Sequence, residues 1–454
     1  LLPSQEENDV FPKNFDFGAS LSGFQFESGS GKGFEGTDWF TWVSNRENVQ
    51  NGIVSGDDPL QGPGYWEDFS RIHDLAQSAG FTMLRIGVEW ARLFPRMPLP
   101  GQDIQAFLDR EAVQRYRAIL RDLHARNIKT MVCLNHFTLP SWLHDPVRVN
   151  RELDFSKGGW VHPDSPTLFA DFAQCVVEQL DPDVEYWSTL NEPFVVASLG
   201  YSQRSAGFPP SIIRPEAFRT AWQNEAKAHR LAYDRMKKVT TKPVGIIYAF
   251  SWATGAPEAC KALLQHANWD FMDSLEGKFD WIGVNYYSRV KVEGTAEDVR
   301  VLPGFGQGSV PNSTTADGRP TSDFGWETYP EGLYHLLVSL HERYAKPIWV
   351  TENGLADYQD VLRPSYIVGH MYAVERSIAD GADVRGYLHW SLCDNYEWAV
   401  GYRQRFGLVD LDVPNNVLTP RASFFLFADI IRKRDLSGVL GLLHRPFDIW
   451  SDEQ

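Results

Sequence analysis

Two short stretches set a carboxylate beside a carboxamide: Asn191-Glu192-Pro193 within STLNEPF, and Glu352-Asn353-Gly354 within WVTENG. A pair of Asp or Glu residues flanking one bond is the usual apparatus for cleaving a glycosidic linkage, one giving a proton to the leaving oxygen and the other attacking directly or activating water. The separation of the two carboxyl groups decides between retention and inversion at the anomeric carbon. A lone loop glutamate is far more often a solvated surface residue than a catalytic one. The elements that carry Glu192 and Glu352 must therefore bring them together.

Each motif closes an apolar run of strand length, and the runs recur along the chain. Candidate strands are Phe17–Leu21, Thr82–Val88, Lys129–Leu134, Glu185–Leu190, Val244–Phe250, Trp281–Tyr287, Ile348–Thr351 and Arg385–Trp390. Between them lie segments of helical period. One is Trp66–Ala79, with Trp66, Phe69, Ile72, His73 and Ala76 on one face and Gly80 as a stop. Another is Ala112–Arg126, with Val113, Tyr116, Ile119, Leu120 and Leu123 inward and Asn127 ending it. Glu331–Tyr344 and Pro364–Asp380 read the same way. Eight strand-then-helix units predict an α/β chain folded as a single (β/α)8 TIM barrel over residues 1–454, with extended loops after the strands. The long loops are Phe26–Gly64 and Glu293–Phe324. Active sites on this architecture sit at the C-terminal ends of the strands. Polar residues collect there: Gln25, Arg85, Glu89, His136, Asn191, Glu192, Asn285, Tyr287, Glu352, Asn353 and the indole Trp390.

Composition narrows the partners. A net charge of −16 disfavours nucleic acid and anionic membranes, and no apolar stretch reaches the ~18 residues of a membrane helix. Cys133, Cys175, Cys260 and Cys393 are scattered without a CxxC pair, which predicts reduced thiols. The opening LLPSQEENDV lacks a basic segment followed by an apolar one, so no signal peptide is read. A cytoplasmic protein is expected, secretion after removal of a leader being the alternative. No HExxH motif or Cys/His cluster predicts a metal, and no cofactor is expected. Gly31-Lys-Gly-Phe-Glu-Gly36 fits G-x-G-x-x-G but has no strand leading into it, so a dinucleotide site is not read there. The 16 tryptophans suit either core packing or stacking on sugar rings.

The chain resembles the retaining β-glycosidases of glycoside hydrolase family one, from FDFGASLSGFQFE through LRIGVEWARLFP, TLNEPF, DWIGVNYYS, SDFGWETYPEGL, WVTENG and GYLHWSLCDNYEW to RFGLVDLD. The segment TDWFTWVSNRENVQNGIVSGDDPLQGPGYW resembles the archaeal-type branch most. The resemblance implies Glu352 as nucleophile and Glu192 as acid/base, with Arg85 and Tyr287 holding the nucleophile. It further implies Asn191 at the sugar 2-hydroxyl and Gln25, His136, Glu397 and Trp398 around the sugar. Trp390 would be the ring platform, and Trp326 an aromatic at the aglycone entrance.

The chemistry is coherent on its own terms. An arginine beside Glu352 would keep it ionised for attack, and repulsion from that anion would keep Glu192 protonated. The implied function is exo-hydrolysis of β-glucosides, together with β-galactosides or fucosides, on small glycosides and oligosaccharides. A transglycosylase or endo-glucanase on the same barrel, or a silent sugar-binding protein, are the competing readings. A homo-oligomer is expected from the resemblance. Two positions depart from the family pattern: Phe137 replaces a common tryptophan after His136, and Val400 stands where many members carry an acid. Glu397 would repel a sugar 6-phosphate, which disfavours the phospho-glycoside branch.

Overall fold

The computed structural model describes residues 11–29, 34–99 and 101–443. Residues 31–33 of the glycine-rich pattern and the first ten residues lie outside these. Eight parallel strands close a barrel in chain order: β1 (Asp16–Ser20), β2 (Met83–Gly87), β3 (Lys129–Asn135), β4 (Tyr186–Asn191), β5 (Val244–Ala249), β6 (Ile282–Asn285), β7 (Ile348–Glu352) and β8 (Val384–His389), with β1 paired to both β2 and β8. All eight coincide with the runs read from sequence, to within one or two residues at most ends. Parallel barrel strands are covered on both faces and so appear as continuous apolar segments.

The longer helices are α1 (Phe69–Ser78), α2 (Arg110–Ala125), α3 (Ser165–Leu180), α4 (Pro215–Met236), α5 (Pro330–Tyr344), α6 (Arg363–Ala379) and α7 (Ala422–Lys433). In α2 the Asp109 side chain accepts the N–H of Ala112, and Val113, Tyr116, Ile119, Leu120 and Leu123 are all buried. Asn127 then leaves the helix in the left-handed region, at φ 59°. Helix α1 begins three residues later than its apolar pattern suggested. Gly64 accepts the amides of Glu67 and Asp68 in a tight turn that excludes Trp66 from the helix. The Trp66 ring instead lies under the Arg92 guanidinium, 3.8 Å away.

Alternation along the strands separates two packing layers. One face meets the helices. The other fills the barrel: Met83, Met131, Cys133, Ile247, Trp281, Trp349 and Leu388 form a separate buried cluster inside it. The barrel is thus plugged by side chains on one side of the level where Arg85, the next inward residue after Met83, begins the site.

The two long loops carry structure of their own. Residues 26–64 contain the short helices Asp38–Val43 and Arg46–Gln50, started by side-chain caps from Thr37 and Asn45. Near the second loop, Trp252–Gly255, Arg289–Gly294 and Val299–Val301 build a three-stranded sheet. Buried Glu327 secures it, accepting hydrogen bonds from Arg289, from Thr315 at 3.0 Å and from the Gly306 amide at 2.8 Å. No helix among the described residues is long and apolar enough to cross a membrane. The four cysteines are free, three buried and Cys260 half-buried.

Candidate active site

The ends of β4 and β7 break register where the carboxylates emerge. The β4–β5 pairing shifts between Ser188 and Asn191, and the β7–β6 pairing between Val350 and Glu352. Glu192 then adopts a left-handed backbone, φ 50° and ψ 52°, and caps the helix Pro193–Tyr201. A non-glycine residue held in this region costs of order 1–3 kcal/mol and persists only where the surroundings fix it. The Glu192 amide is fixed by the Ile247 carbonyl at 2.9 Å. At the other motif, Gly354 is required because the Trp390 carbonyl oxygen lies 1.7 Å from where a Cβ would stand.

Glu352 is buried and held at both oxygens. Arg85 donates to Oε1 at 2.5 Å, and the Tyr287 hydroxyl donates to Oε2 at 2.6 Å. Arg85 also donates to Asn191 Oδ1 at 2.6 Å and reaches His136 Nδ1 at 3.1 Å. The guanidinium, itself fully buried, therefore touches three of the expected site residues. Glu192 has no cation of its own. It accepts the Asn285 amide at 2.6 Å, and its pKa is pushed up to about 8, by burial first and by the charge of Glu352 second. Repulsion by Glu352, the cause expected from the sequence, is thus the smaller one, and desolvation the larger. The two carboxyls are thus set in opposite environments, one with a cation and a phenol, the other without. That is the arrangement that separates a nucleophile from a proton donor.

A cavity of about 580 Å3 opens above them, lined among others by His136, Glu192, Tyr287, Trp326, Glu352, Trp390, Glu397 and Trp398. Gln25, Arg85 and Asn191 sit behind this lining. Gln25 Nε2 donates to Asn395 Oδ1 at 2.9 Å and to the Tyr396 carbonyl at 3.0 Å, with Glu397 at 3.5 Å. The Glu397 carboxyl is pushed up to about 8, by burial and then by the charge of Glu352. The His136 ring lies between Trp390 and Trp398, with both centroids 5.8 Å away and interplanar angles of 21° and 18°. Burial and Arg85 hold the His136 pKa well below its ordinary value, so the ring is neutral. With Nδ1 accepting from Arg85, the hydrogen resides on Nε2. The Asn191 amide nitrogen beside it, at 3.3 Å, is also a donor, because Asn191 Oδ1 already accepts from Arg85 and Asn285.

Trp326 stands at the outer part, stacked on Phe324 with centroids 4.9 Å apart and 5.2 Å from the Tyr287 ring. Phe137 and Val400 both reach the cavity, and Phe137 packs on Trp398 at 4.9 Å. All eleven site residues named from the sequence therefore converge on one mouth. Two more belong with them. Asn285 was noted only as a strand end, yet it links both motifs, accepting from Thr351 Oγ1 at 2.8 Å and donating to Asn191 and Glu192. Phe24 stacks on the far face of Trp398, at 5.7 Å and 7°. The alternation of Asn285 with Tyr287 in GVNYY was the only signal for the first, and nothing marked the second.

The sequence model of glycosyl hydrolase family 1 matches residues 7–273 and 257–436. A beta-galactosidase of Saccharolobus solfataricus is 42% identical over 92% of this chain and 94% of its own length. The chain belongs to glycosyl hydrolase family 1. Among solved family members, a hyperthermophilic beta-glucosidase from Pyrococcus furiosus superposes with a TM-score of 0.91 at 40% identity, covering 96% of this chain and 98% of that one. A beta-glucosidase mutant derived from a hyperthermophilic tetrameric structure gives a TM-score of 0.89 at 40% identity, covering 97% of each chain. These relatives place the chain in the archaeal-type branch of the family, and the closed barrel is the family's fold. Within the described residues no group of His, Cys, Asp and Glu side chains could hold a metal ion.

Proposed function

We propose that this family 1 glycoside hydrolase is a retaining exo-β-glycosidase that removes terminal β-D-glucosyl residues, and β-D-galactosyl or fucosyl residues, by double displacement. The observation that carries the reading is the contrast between Glu352, clamped by Arg85 and Tyr287, and Glu192, buried without a cation. Glu352 attacks the anomeric carbon while Glu192 delivers its proton to the departing oxygen. The C1–O bond breaks, and a glycosyl ester forms on Glu352. Once esterified, Glu352 carries no charge, so the Glu192 pKa falls and its carboxylate takes a proton from water. That water attacks C1, the ester bond breaks and Glu352 is regenerated.

Asn191 serves the 2-hydroxyl, where a contact strengthens in the transition state. Gln25, His136, Glu397 and Trp398 bind the rest of the sugar, Trp390 underlies its ring, and Trp326 borders the aglycone. The cluster of His136, Trp390, Glu397 and Trp398 lining one part of the cavity supports action on a terminal sugar. Two differently tuned carboxyls argue against silent sugar binding. We further assign the whole chain to one catalytic barrel working in the cytoplasm, assembled as a homo-oligomer, as the tetrameric structure from which the mutant relative derives suggests.

A panel of 4-nitrophenyl β-glycosides, with the product anomer followed by NMR, tests this reading. The β-anomer should appear first, and Glu352→Ala should lower kcat at least about a thousandfold. An α-anomer appearing first would overturn the retaining mechanism.

A further inference from the structure

Glu89 follows β2 by two residues, and it is buried outside the cavity lining. Its Oε1 accepts the backbone N–H of Phe24 at 2.8 Å, and its Oε2 accepts the Thr138 hydroxyl at 2.7 Å. Phe24 precedes Gln25 in the short helix Gly23–Phe26. Thr138 closes a turn whose amide returns to the His136 carbonyl at 2.9 Å, with Phe137 held at φ 72° inside it. One carboxyl therefore ties the segment carrying Gln25 to the segment carrying His136. It also fixes Phe24, whose ring backs Trp398. The fit is close: a Cβ on Gly23 would stand 2.4 Å from Glu89 Oε1.

The surroundings favour the neutral form of this tie. Glu27 is the neighbouring buried carboxyl, and it takes the available cation, Arg92 Nε at 2.9 Å, and the Tyr116 hydroxyl at 2.7 Å. Glu89 meets Tyr116 only through its own backbone N–H, at 2.9 Å. Two adjacent buried carboxyls with the guanidinium on one of them leave the other protonated. Burial and the charge of Glu27 push the Glu89 pKa up to about 8, in the same direction. A neutral carboxylic acid offers one acceptor and one donor, which suits the Phe24 N–H on one side and, on the other, the Thr138 hydroxyl, a rotor that can donate or accept.

We propose that Glu89 is a positioning residue that sets the spacing between Gln25 and His136 and so governs how tightly the sugar is bound. The inference rests on reading those two residues as sugar-binding groups. Because the acid is neutral, a carboxamide of the same shape can replace it: Oε1 still accepts from Phe24, and the Thr138 hydroxyl, which donates to Oε2 in the structure, rotates to accept from Nε2. An alkyl side chain of similar size can do neither.

The test compares wild type with Glu89→Gln, Glu89→Leu and Thr138→Val, measuring kcat and KM for 4-nitrophenyl β-glucoside and β-galactoside alongside the melting temperature. Loss of placement by a fraction of an ångström should raise KM about tenfold in Glu89→Leu, with kcat changing less than KM. Glu89→Gln should stay within about twofold of wild type, and Thr138→Val should raise KM about threefold. A lower melting temperature in Glu89→Leu with an unchanged KM would overturn the proposal, as would equal losses in the Gln and Leu variants. Should Glu89→Leu fail to fold, Thr138→Val decides: an unchanged KM there also overturns it. Gln25→Ala and His136→Ala separate the two levels. If neither raises KM, the reading of the sugar site fails rather than the role of Glu89.

Discussion

Asn285 shows how one amide sets the working range of a carboxylic acid. Its N–H bond to Glu192 favours the ionised form and so offsets part of the upward pressure from burial and from Glu352. The first chemical step needs Glu192 protonated, so kcat/KM should fall as pH rises through about 8. Replacing Asn285 by Ala removes a bond to the charged form, raising the Glu192 pKa and moving this alkaline limb to higher pH. A kcat/KM profile from pH 5 to 10 checks the direction. At this scale the sequence was informative about identities and silent about bonds. STLNEPF and WVTENG mark the two carboxylates, but nothing in them records that Glu192 is left-handed. Nor do they show that desolvation outweighs repulsion, or that Asn285 joins the two motifs. Those facts depend on where several strands end relative to one another.

At the scale of elements, legibility followed burial. The barrel strands were readable because both of their faces are covered, and α2 because its cap and stripe agree. The short helices Asp38–Val43 and Arg46–Gln50 were not, since each is under two turns and depends on a side-chain cap rather than on periodicity. The end of α1 was readable at Gly80, but its start was hidden because Trp66 is apolar for a different purpose, to lie under Arg92. Gly354 marks another element-level constraint, the crossing of the β7 end with the Trp390 carbonyl. Gly354→Ala should destabilise the fold by about 1–3 kcal/mol or more, the range for forcing atoms into a filled site. Urea unfolding of the variant against wild type measures it. Loss of the clamp on Glu352 should lower kcat in parallel.

Over the whole molecule, burial of titratable groups fixes how stability responds to pH. Glu27, Glu89, Glu192, Glu225, Glu375 and Glu397 all have raised pKa values in the folded protein. Above the ordinary carboxylate range the folded state therefore binds more protons than the unfolded state, and stability falls as pH rises. His73, His136, His229, His370 and His389 have lowered values and act oppositely, but only below the ordinary histidine pKa of about 6.5. Between about pH 6.5 and 8 the carboxyls act without that offset. The melting temperature should decline across this window at constant ionic strength, and Glu397→Gln should flatten the decline. The cysteines give a second global check. Native protein should react with a thiol reagent at Cys260 first, and at Cys133, Cys175 and Cys393 only once unfolded.

The indole plug formed by Trp281 and Trp349 inside the barrel imposes a traffic rule. With the barrel filled beneath the site, molecules leave through its mouth in the reverse of the order in which they are stacked. The aglycone must depart before water can enter, and the monosaccharide, deepest in line, goes last. Free glucose should therefore compete with the incoming glycoside for the empty enzyme, raising apparent KM without changing kcat. A small alcohol should instead enter behind the departing aglycone and capture the sugar from Glu352. Initial rates with added glucose, and product ratios with added methanol, read the queue from its two ends.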